Sequence, residues 1–169
     1  QWIVTQLATA KIGAILVNIN PSYRLHELEY ALRQSGCSFL VTSPAFKTAN
    51  YLEMVNTLAP ELAHAQPGHL RAERLPALRA VIRLGEEHTP GTFTWGDVLA
   101  AADRVTPDEL NERQRQLEFD DPINIQYTSG TTGYPKGATL SHHNILNNGY
   151  FVARTMNFSD RDRLVIPVP

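Results

Sequence analysis

The sequence predicts an α/β fold in which parallel sheets are flanked by helices. Segments with helical spacing of apolar residues alternate with short apolar runs typical of strands, and strands separated by helices pair in parallel. Gly13 and Gly36 follow the first two helical segments, where a helix commonly ends in a left-handed residue. The 169 residues, 43% of them apolar, suffice for one domain with a hydrophobic core.

Six elements are predicted in the first half of the chain. Apolar residues recur at helical spacing in residues 2–10 and 25–32, and the run AVIRL contains β-branched residues that favour strands. Residues 60–76 show no period, and we interpret them as a surface excursion. In chain order the elements are a helix ending at Gly13, the strand Ala14–Asn18, a helix closed by Gly36, the strand Phe39–Thr42, a helix from Phe46 to Leu58 and the strand Ala80–Leu84.

Five further elements are predicted in the second half. Thr94 and Ser141 are expected to cap helices, because a hydroxyl can accept a hydrogen bond from the first helical turn. The last helix is expected to point Ile145, Leu146 and Val152 inward. In chain order the elements are a short helix Trp95–Ala101, a charged helix or linker from Pro107 to Glu118, the strand Ile123–Tyr127, a returning strand Ala138–Leu140 and a helix from His142 to Met156.

Charge and composition favour small molecules as partners. The formal net charge is -2 with acids and bases interspersed, so nucleic acid and anionic lipid are disfavoured. No apolar run reaches the roughly 18 residues of a membrane span. The single cysteine, Cys37, has no disulfide partner, which fits a reducing compartment. The chain begins at Gln1 and stops on the apolar run RLVIPVP, and we interpret both ends as cut from a longer protein.

The segment YTSGTTGYPK, from Tyr127 to Lys136, is the densest cluster of ligand-binding residue types in the chain. Together with Gly137 it supplies glycines whose amides can approach a ligand closely, several hydroxyl groups, and the charge of Lys136. This set suits a triphosphate with its magnesium, since phosphate oxygens need convergent donors and charge neutralisation. A solvated turn between two strands is the alternative, and the density of the cluster disfavours it.

The loop differs from the Walker A loop of common ATPases, whose pattern is G-x-x-x-x-G-K-[ST]. Gly137 and Ala138 follow Lys136, so no hydroxyl residue stands after the lysine to hold magnesium. Pro135 lacks the amide hydrogen that a phosphate cradle uses. The loop therefore predicts a different class of nucleotide site.

The segment YTSGTTGYPKGA resembles the signature loop of the adenylate-forming superfamily, which includes acyl-CoA synthetases, luciferases and peptide-synthetase adenylation domains. Within this superfamily, the sequence from Phe119 to Asn148 is most similar to medium-chain fatty acyl-CoA synthetases. The resemblance implies part of the large N-terminal domain of an acyl-CoA synthetase-like fold, with residues 1–118 as a first α/β portion and residues 119–169 carrying the loop. Further matches are Leu140, Ser141, His142 and Asn144 to the pattern L-[ST]-H-x-N, and Gly13, Ala14, Asn20 and Pro21 to an upstream element.

The resemblance also implies a ligase with two half-reactions. A carboxylate, here expected to be a fatty acid, attacks ATP to give an acyl-adenylate, and coenzyme A then displaces AMP. Thr131 and Thr132 are expected to contact Mg²⁺ or its waters, while the adenylation lysine and the acidic metal ligand are expected beyond Pro169. The segment assigned to the nucleotide comprises Thr128, Ser129, Gly130, Thr131, Thr132, Gly133, Tyr134, Pro135 and Lys136.

Other polar and aromatic residues are better explained by structure than by chemistry. His142 and His143 are neighbours at a helix start, and we assign neither to catalysis. The remaining histidines lack metal-ligand spacing, and Asp120 with Asp121 fits a turn. Core packing is the expected role of Trp2, Trp95 and Tyr127.

Two alternatives to the fatty acyl-CoA ligase remain open. One is another adenylate-forming enzyme, such as an amino-acid adenylation domain or a luciferase-like oxidase. The other is a nucleotide-binding module that keeps the loop without the chemistry. We expect a cytoplasmic protein, with the mitochondrial matrix as the alternative compartment.

Overall fold

The computed structural model describes residues 1–128 and 134–165 of the chain. Within these residues, α-helices and short strands alternate, and 3-10 helices span Pro60–His64 and Ala101–Arg104. The helices are α1 (Trp2–Ile12), α2 (Leu25–Ser35), α3 (Tyr51–Leu58), α4 (Trp95–Ala100), α5 (Pro107–Arg115) and α6 (His142–Thr155). The strands are β1 (Leu16–Asn18), β2 (Phe39–Thr42), β3 (Ala45–Phe46), β4 (Ala49–Asn50), β5 (Ala80–Arg83), β6 (Thr92–Thr94), β7 (Pro122–Thr128) and β8 (Lys136–Ser141).

One sheet is parallel throughout and has the strand order β2-β5-β6. Phe39 lies opposite Ala80, and Val81 lies opposite Thr92. This pairing confirms the predicted parallel arrangement of β2 and β5. β6 was not predicted, because a strand of three residues is too short to show a period.

The other three-stranded sheet is mixed and has the order β1-β7-β8. β1 runs parallel to β7, with Leu16 opposite Asn124. β8 returns antiparallel to β7, and Thr128 lies opposite Lys136 at the end of the ladder. The predicted returning strand is therefore confirmed, and it makes this sheet mixed where parallel sheets were expected.

The hydrophobic core lies between α2, α3 and the parallel sheet. Full burial of a leucine or valine side chain contributes roughly 1.5–3 kcal/mol each, so this cluster carries much of the stability of the chain. Its largest fully buried side chains are Val55, Leu58, Leu62, Leu70, Leu78 and Val81.

Residues 60–76 belong to this core, so their prediction as a surface excursion is wrong. Leu62, Leu70 and Leu75 are at most 2% exposed. The segment is held by the Leu70 amide, which donates to the Arg79 carbonyl at 3.0 Å, and by an ion pair between Arg74 and Glu29 at 2.6 Å. An irregular segment can bury single leucines without any sequence period, which is why the pattern did not reveal it.

The helix predicted from Phe46 begins only at Tyr51. The preceding residues form the two-stranded hairpin of β3 and β4, in which Lys47 has a positive φ of 52°. Asn50 then caps α3, since its Oδ1 accepts a hydrogen bond from the Glu53 amide at 3.1 Å. The apolar spacing identified the helix but not its start, which the asparagine cap sets.

The other predicted helix ends agree with the structure. Gly13 and Gly36 adopt the left-handed conformation after α1 and α2, with φ of 70° and 62°. Thr94 accepts a hydrogen bond from the Asp97 amide, and Ser141 accepts one from the Asn144 amide. The segment after Pro107 is a helix as far as Arg115.

Two expected inward faces lie at the surface of this chain. Leu146 is 74% exposed and Val152 is 46% exposed on α6, while Trp2 is 52% exposed on α1. The helical spacing was correct, and Ile145 is half-buried as part of the predicted α6 face, but the described residues leave Leu146, Val152 and Trp2 largely uncovered. Among the described residues, no helix has both the length and the hydropathy to cross a membrane; α6 has 14 residues.

Candidate functional site

The candidate site is centred on the loop end of the β7–β8 hairpin, where the loop connects the two strands. β7 ends at Thr128 and β8 begins at Lys136, and the two residues are paired in the ladder. The Thr128 hydroxyl lies 3.4 Å from the Lys136 carbonyl, to which it can donate. Both side chains are exposed, so a hydroxyl and a cation are presented together where the strands end.

The structure describes four of the nine residues that the sequence assigned to the nucleotide. They lie on the two sides of the loop end of the hairpin and are Thr128, Tyr134, Pro135 and Lys136. The others lie outside the described residues, and the assignment of the whole set, including Thr131 and Thr132 as metal contacts, stays a prediction. The undescribed members are Ser129, Gly130, Thr131, Thr132 and Gly133.

Tyr134 contacts α2, which sequence reasoning did not connect with the loop. Its ring centroid lies 5.0 Å from that of Tyr30 and 6.1 Å from that of His26, within the range of aromatic pairs. His26 and Tyr30 are four residues apart, so they share one face of the helix. The spacing of His26 and Tyr30 was the only signal in the sequence that they act together. It does not indicate a contact with Tyr134, about a hundred positions later.

Tyr127 packs inward, as predicted, and is 8% exposed. Its hydroxyl lies 3.0 Å from Gln34 Oε1 and 3.3 Å from the Ala31 carbonyl, so its single proton has two acceptors on α2. Burial raises the pKa of the Tyr127 phenol above its ordinary value. The residue before the loop is thereby fixed to a helix of the core.

The opposite face of β7 carries a second set of polar contacts. The Asn18 amide donates to Gln126 Oε1 at 3.2 Å, and the Trp2 indole donates to Asn18 Oδ1 at 3.0 Å. Trp2 was expected in the core; it serves instead as a half-exposed donor at the end of β1. These contacts join α1, β1 and β7 near the loop end of the hairpin.

Gly137 is required by packing within the hairpin. It lies opposite Tyr127, and a Cβ added to it would stand 2.9 Å from Ile125 Cγ2. Real Cβ atoms rarely approach so closely, so a larger residue would displace the isoleucine. The glycine that follows Lys136 therefore lets β8 lie close to the buried side of β7.

The two neighbouring histidines at the start of α6 have different surroundings. His143 Nδ1 lies 3.4 Å from Asp120 Oδ1 at the surface, and its ring packs on Phe119. Asp121 accepts a hydrogen bond from the Glu118 amide at 2.9 Å, which confirms the predicted turn. His142 Nε2 is buried and has no hydrogen-bond partner among the described residues. Among residues 1–128 and 134–165, no three His, Cys, Asp or Glu side chains form a metal-binding group.

Comparison with protein families matches all of residues 1–169 to the family described as AMP-binding enzyme. The chain belongs to this family. Its loop, its capped α6 and its α/β fold are thus those of an AMP-binding enzyme, which confirms the resemblance read from the sequence.

Similar AMP-binding enzymes are much longer than this chain. The mitochondrial medium-chain acyl-CoA ligase ACSF2 of Danio rerio is 46% identical over 171 residues, which is 100% of this chain and 28% of that protein. The human ACSF2 is 44% identical over 99% of this chain and 28% of its own length. YngI of Bacillus subtilis strain 168 is 45% identical, with 100% of this chain and 31% of that protein covered. The chain therefore spans less than a third of these relatives.

Solved structures of AMP-binding enzymes share the fold. The N-terminal domain of FACL13 from Mycobacterium tuberculosis superposes with a TM-score of 0.65 at 24% identity, covering 99% of this chain and 35% of that chain. A protein from Rhodopseudomonas palustris gives a TM-score of 0.70 at 21% identity, covering 95% of this chain and 34% of that one. The predicted fold, part of a large N-terminal domain, is confirmed. The boundary proposed at residue 118 within it stays a prediction.

Proposed function

We propose that this chain forms the nucleotide-phosphate part of an AMP-forming acyl-CoA ligase. The whole enzyme activates a fatty acid with ATP through an acyl-adenylate and transfers the acyl group to coenzyme A. Membership of the AMP-binding family supports this proposal, and so does the 46% identity to a protein named as a medium-chain acyl-CoA ligase.

The observation that carries the proposal is the exposed cation of Lys136 at the loop end of the hairpin. Lys136 is exposed, and among residues 1–128 and 134–165 no carboxylate lies within ion-pair distance of it. The Thr128 hydroxyl stands beside it on the paired strand. A polyphosphate supplies the negative charge and the acceptor oxygens that such a pair can bind.

The role of this pair follows from the charge that develops in the reaction. When a carboxylate attacks the α-phosphorus of ATP, negative charge grows on the departing pyrophosphate. We assign Lys136 and Thr128 to the β- and γ-phosphates, where they hold the leaving group in line and neutralise it. Mg²⁺ bound through Thr131 and Thr132 would add further positive charge at the same oxygens.

The source of that neutralisation differs from a Walker A site. There a helix N-terminus follows the loop directly and its amides face the phosphates. Here the six residues of β8 separate the loop from α6, which places the helix start roughly 17–20 Å away at strand rise. The dipole of a helix falls off within its first turn, so the start of α6 does not supply this charge, and we assign it to side chains of the loop and to the metal.

Acid-dependent exchange of pyrophosphate into ATP by the whole enzyme tests the proposal. Scanned across fatty, aryl and amino acids, the exchange is expected to be fastest with fatty acids, followed by thioester formation with coenzyme A. A preference for amino acids contradicts the fatty-acyl assignment and supports an adenylation domain. Absence of exchange with every acid, despite ATP binding, supports a non-catalytic nucleotide-binding module.

The isolated 169-residue chain is expected to form no thioester. The resemblance implies that the adenylation lysine and the acidic metal ligand lie beyond Pro169. Thioester formation from fatty acid, ATP and coenzyme A by this chain alone would contradict that expectation.

The proposed compartment is the cytoplasm, with the mitochondrial matrix as the alternative. Relatives with 44–46% identity include a Bacillus subtilis protein and enzymes named as mitochondrial. Fractionation of cells that express the whole enzyme separates the two, because a matrix protein is protected from protease until the inner membrane is opened.

A further inference from the structure

One face of α2 carries a row of polar and aromatic side chains that faces Tyr127 and Tyr134. His26, Tyr30 and Gln34 are spaced by four residues and therefore lie one above another on the helix surface. Tyr30 is half-buried, while His26 and Gln34 are exposed. We name these three residues the α2 row.

The α2 row contacts the polypeptide on both sides of the loop. Before the loop, the hydroxyl of Tyr127 lies 3.0 Å from Gln34 Oε1. After the loop, the ring of Tyr134 lies 5.0 Å from the ring of Tyr30, with 33° between their planes. Tyr127 is followed directly by Thr128, and Tyr134 stands two residues before Lys136.

Gln34 links the two halves of the row into one network. Its Nε2 donates to the Tyr30 hydroxyl at 2.9 Å, while its Oε1 faces the hydroxyl of Tyr127. The amide thus uses a donor toward one phenol and an acceptor toward the other, which fixes its orientation. The Tyr30 ring that packs on Tyr134 is held by the same amide.

The opposite face of α2 is anchored in the core. Leu28, Ala31 and Leu32 are 6%, 0% and 3% exposed. The Arg74 guanidinium also holds Glu29 of this helix by two hydrogen bonds, at 2.6 Å and 3.2 Å. Contacts from such a helix transmit the rigidity of the core to whatever the row touches.

We propose that Tyr30 and Gln34 are positioning residues for the phosphate-binding loop. They fix Tyr127 and Tyr134, and through them the places from which Thr128 and Lys136 reach the polyphosphate. This inference rests on the proposed function of the loop. Neither residue is expected to contact the nucleotide, since their side chains are engaged with the tyrosines that flank the loop.

Kinetics of the whole enzyme with three variants of the α2 row test the proposal. Tyr30→Ala removes the ring, Tyr30→Phe keeps the ring without the hydroxyl, and Gln34→Leu removes both hydrogen bonds of the amide. Phe46→Ala is the control, because this ring is 47% exposed on β3 and belongs to another sheet. Pyrophosphate exchange gives kcat and the separate KM values for ATP and for the fatty acid.

The expected result is a loss specific to ATP. Tyr30→Ala should lower kcat/KM for ATP by about two- to tenfold, the size of a lost aromatic contact. The KM for the fatty acid and the melting temperature should stay near wild type, and Tyr30→Phe should recover most of the loss. Unchanged ATP kinetics in both Tyr30→Ala and Gln34→Leu would overturn the proposal, as would an equal loss for ATP and acid with a matching fall in melting temperature.

Amide hydrogen exchange on the same ligand-free proteins makes the test independent of catalysis. Tyr30→Ala should speed exchange in peptides covering residues 127–137, and Phe46→Ala should not. An enzyme that shows no pyrophosphate exchange with any acid contradicts the proposed function alone, and the hydrogen-exchange comparison then decides the positioning role. Equal exchange rates in wild type and Tyr30→Ala would contradict that role.

Discussion

The two three-stranded sheets of this chain differ in burial. In the parallel sheet β2-β5-β6, Leu40, Ala80 and Val81 are at most 8% exposed and lie against a continuous cluster of leucines. In the mixed sheet β1-β7-β8, β8 has no buried residue, and the buried side chains come from β7 alone. The first sheet is built into the core, whereas the second presents the loop at its exposed end.

Stability and ligand binding therefore depend on separate elements, and both elements contact α2. Buried apolar contacts fix the parallel sheet, while the exposed hairpin leaves donors and charge accessible to a ligand. α2 belongs to both parts, since it buries Leu28, Ala31 and Leu32 and turns the α2 row toward the hairpin. Changes in the two sheets should therefore affect different measurements.

The largest expected effect is on stability, in the parallel sheet's core. Leu58→Ala should lower the free energy of unfolding by about 2–5 kcal/mol, because it opens a cavity at a fully buried position. Leu146→Ala on α6, where the side chain is 74% exposed, should change it by less than about 0.5 kcal/mol. Urea denaturation of this chain measures both, and equal losses would remove the contrast between the two regions.

The next effect is on activity, at the hairpin. Lys136→Ala in the whole enzyme should reduce kcat/KM for ATP by the equivalent of about 1.5–3 kcal/mol, since a charge-assisted contact is lost. Its melting temperature should not change, because the side chain is exposed and makes no ion pair among the described residues. Lys11→Ala on α1 serves as the matched control, and a similar loss of ATP kinetics there would show that the effect is not specific to the loop.

A smaller effect is expected from two glycines in different surroundings, Gly137 in β8 and Gly149 in α6. Gly137→Ala should destabilise by about 1 kcal/mol, because the new methyl group meets Ile125 Cγ2 at 2.9 Å. Gly149→Ala should stabilise by about 0.5–1 kcal/mol, since a Cβ there meets nothing within 4 Å and α6 gains a better helix former. Stabilisation by Gly137→Ala would mean that β8 does not pack on β7 as described.

The smallest effect concerns the pH dependence of the free energy of unfolding, through Glu29 on α2. The hydrogen bond from Arg74 lowers the pKa of the Glu29 carboxyl in the folded chain. A carboxyl with a lowered folded pKa contributes stability above its unfolded pKa and loses it as pH falls through the folded value. The stability difference between wild type and Glu29→Gln should therefore shrink on acidification. Arg74→Gln should reduce that pH dependence, because only the smaller effects of Arg33 and His26 on the pKa of Glu29 remain, and an unchanged pH dependence would contradict the role of Arg74.

Local signals accounted for the parts of the fold that the sequence predicted. Gly13, Gly36 and Ser141 mark helix ends because the left-handed turn and the hydroxyl cap are local requirements. The short connection after Thr128 admits only an antiparallel return, since a parallel crossover needs about a dozen residues. The loop itself was recognisable from the density of its residue types.

Contacts distant along the chain account for what the sequence missed. Leu62 is buried in a short 3-10 helix and Leu70 in an irregular segment, and neither is long enough for a period to mark the inward side. Leu146 has correct helical spacing, yet exposure depends on what packs over α6 and not on the helix. Gln34 and Tyr127 are 93 positions apart, so only the folded chain brings that helix to the loop.

The antiparallel pairing of β7 with β8 also determines how the site responds to force. The ladder runs from Pro122 opposite Ser141 to Thr128 opposite Lys136, so a pull on α6 away from β7 opens these hydrogen bonds in turn, beginning at the Pro122–Ser141 end. The loop joins the far ends of both strands and lies beyond the loaded bonds. Strain from a moving neighbour on the α6 side is therefore borne by the hairpin before it reaches the phosphate-binding loop, so the loop is mechanically shielded.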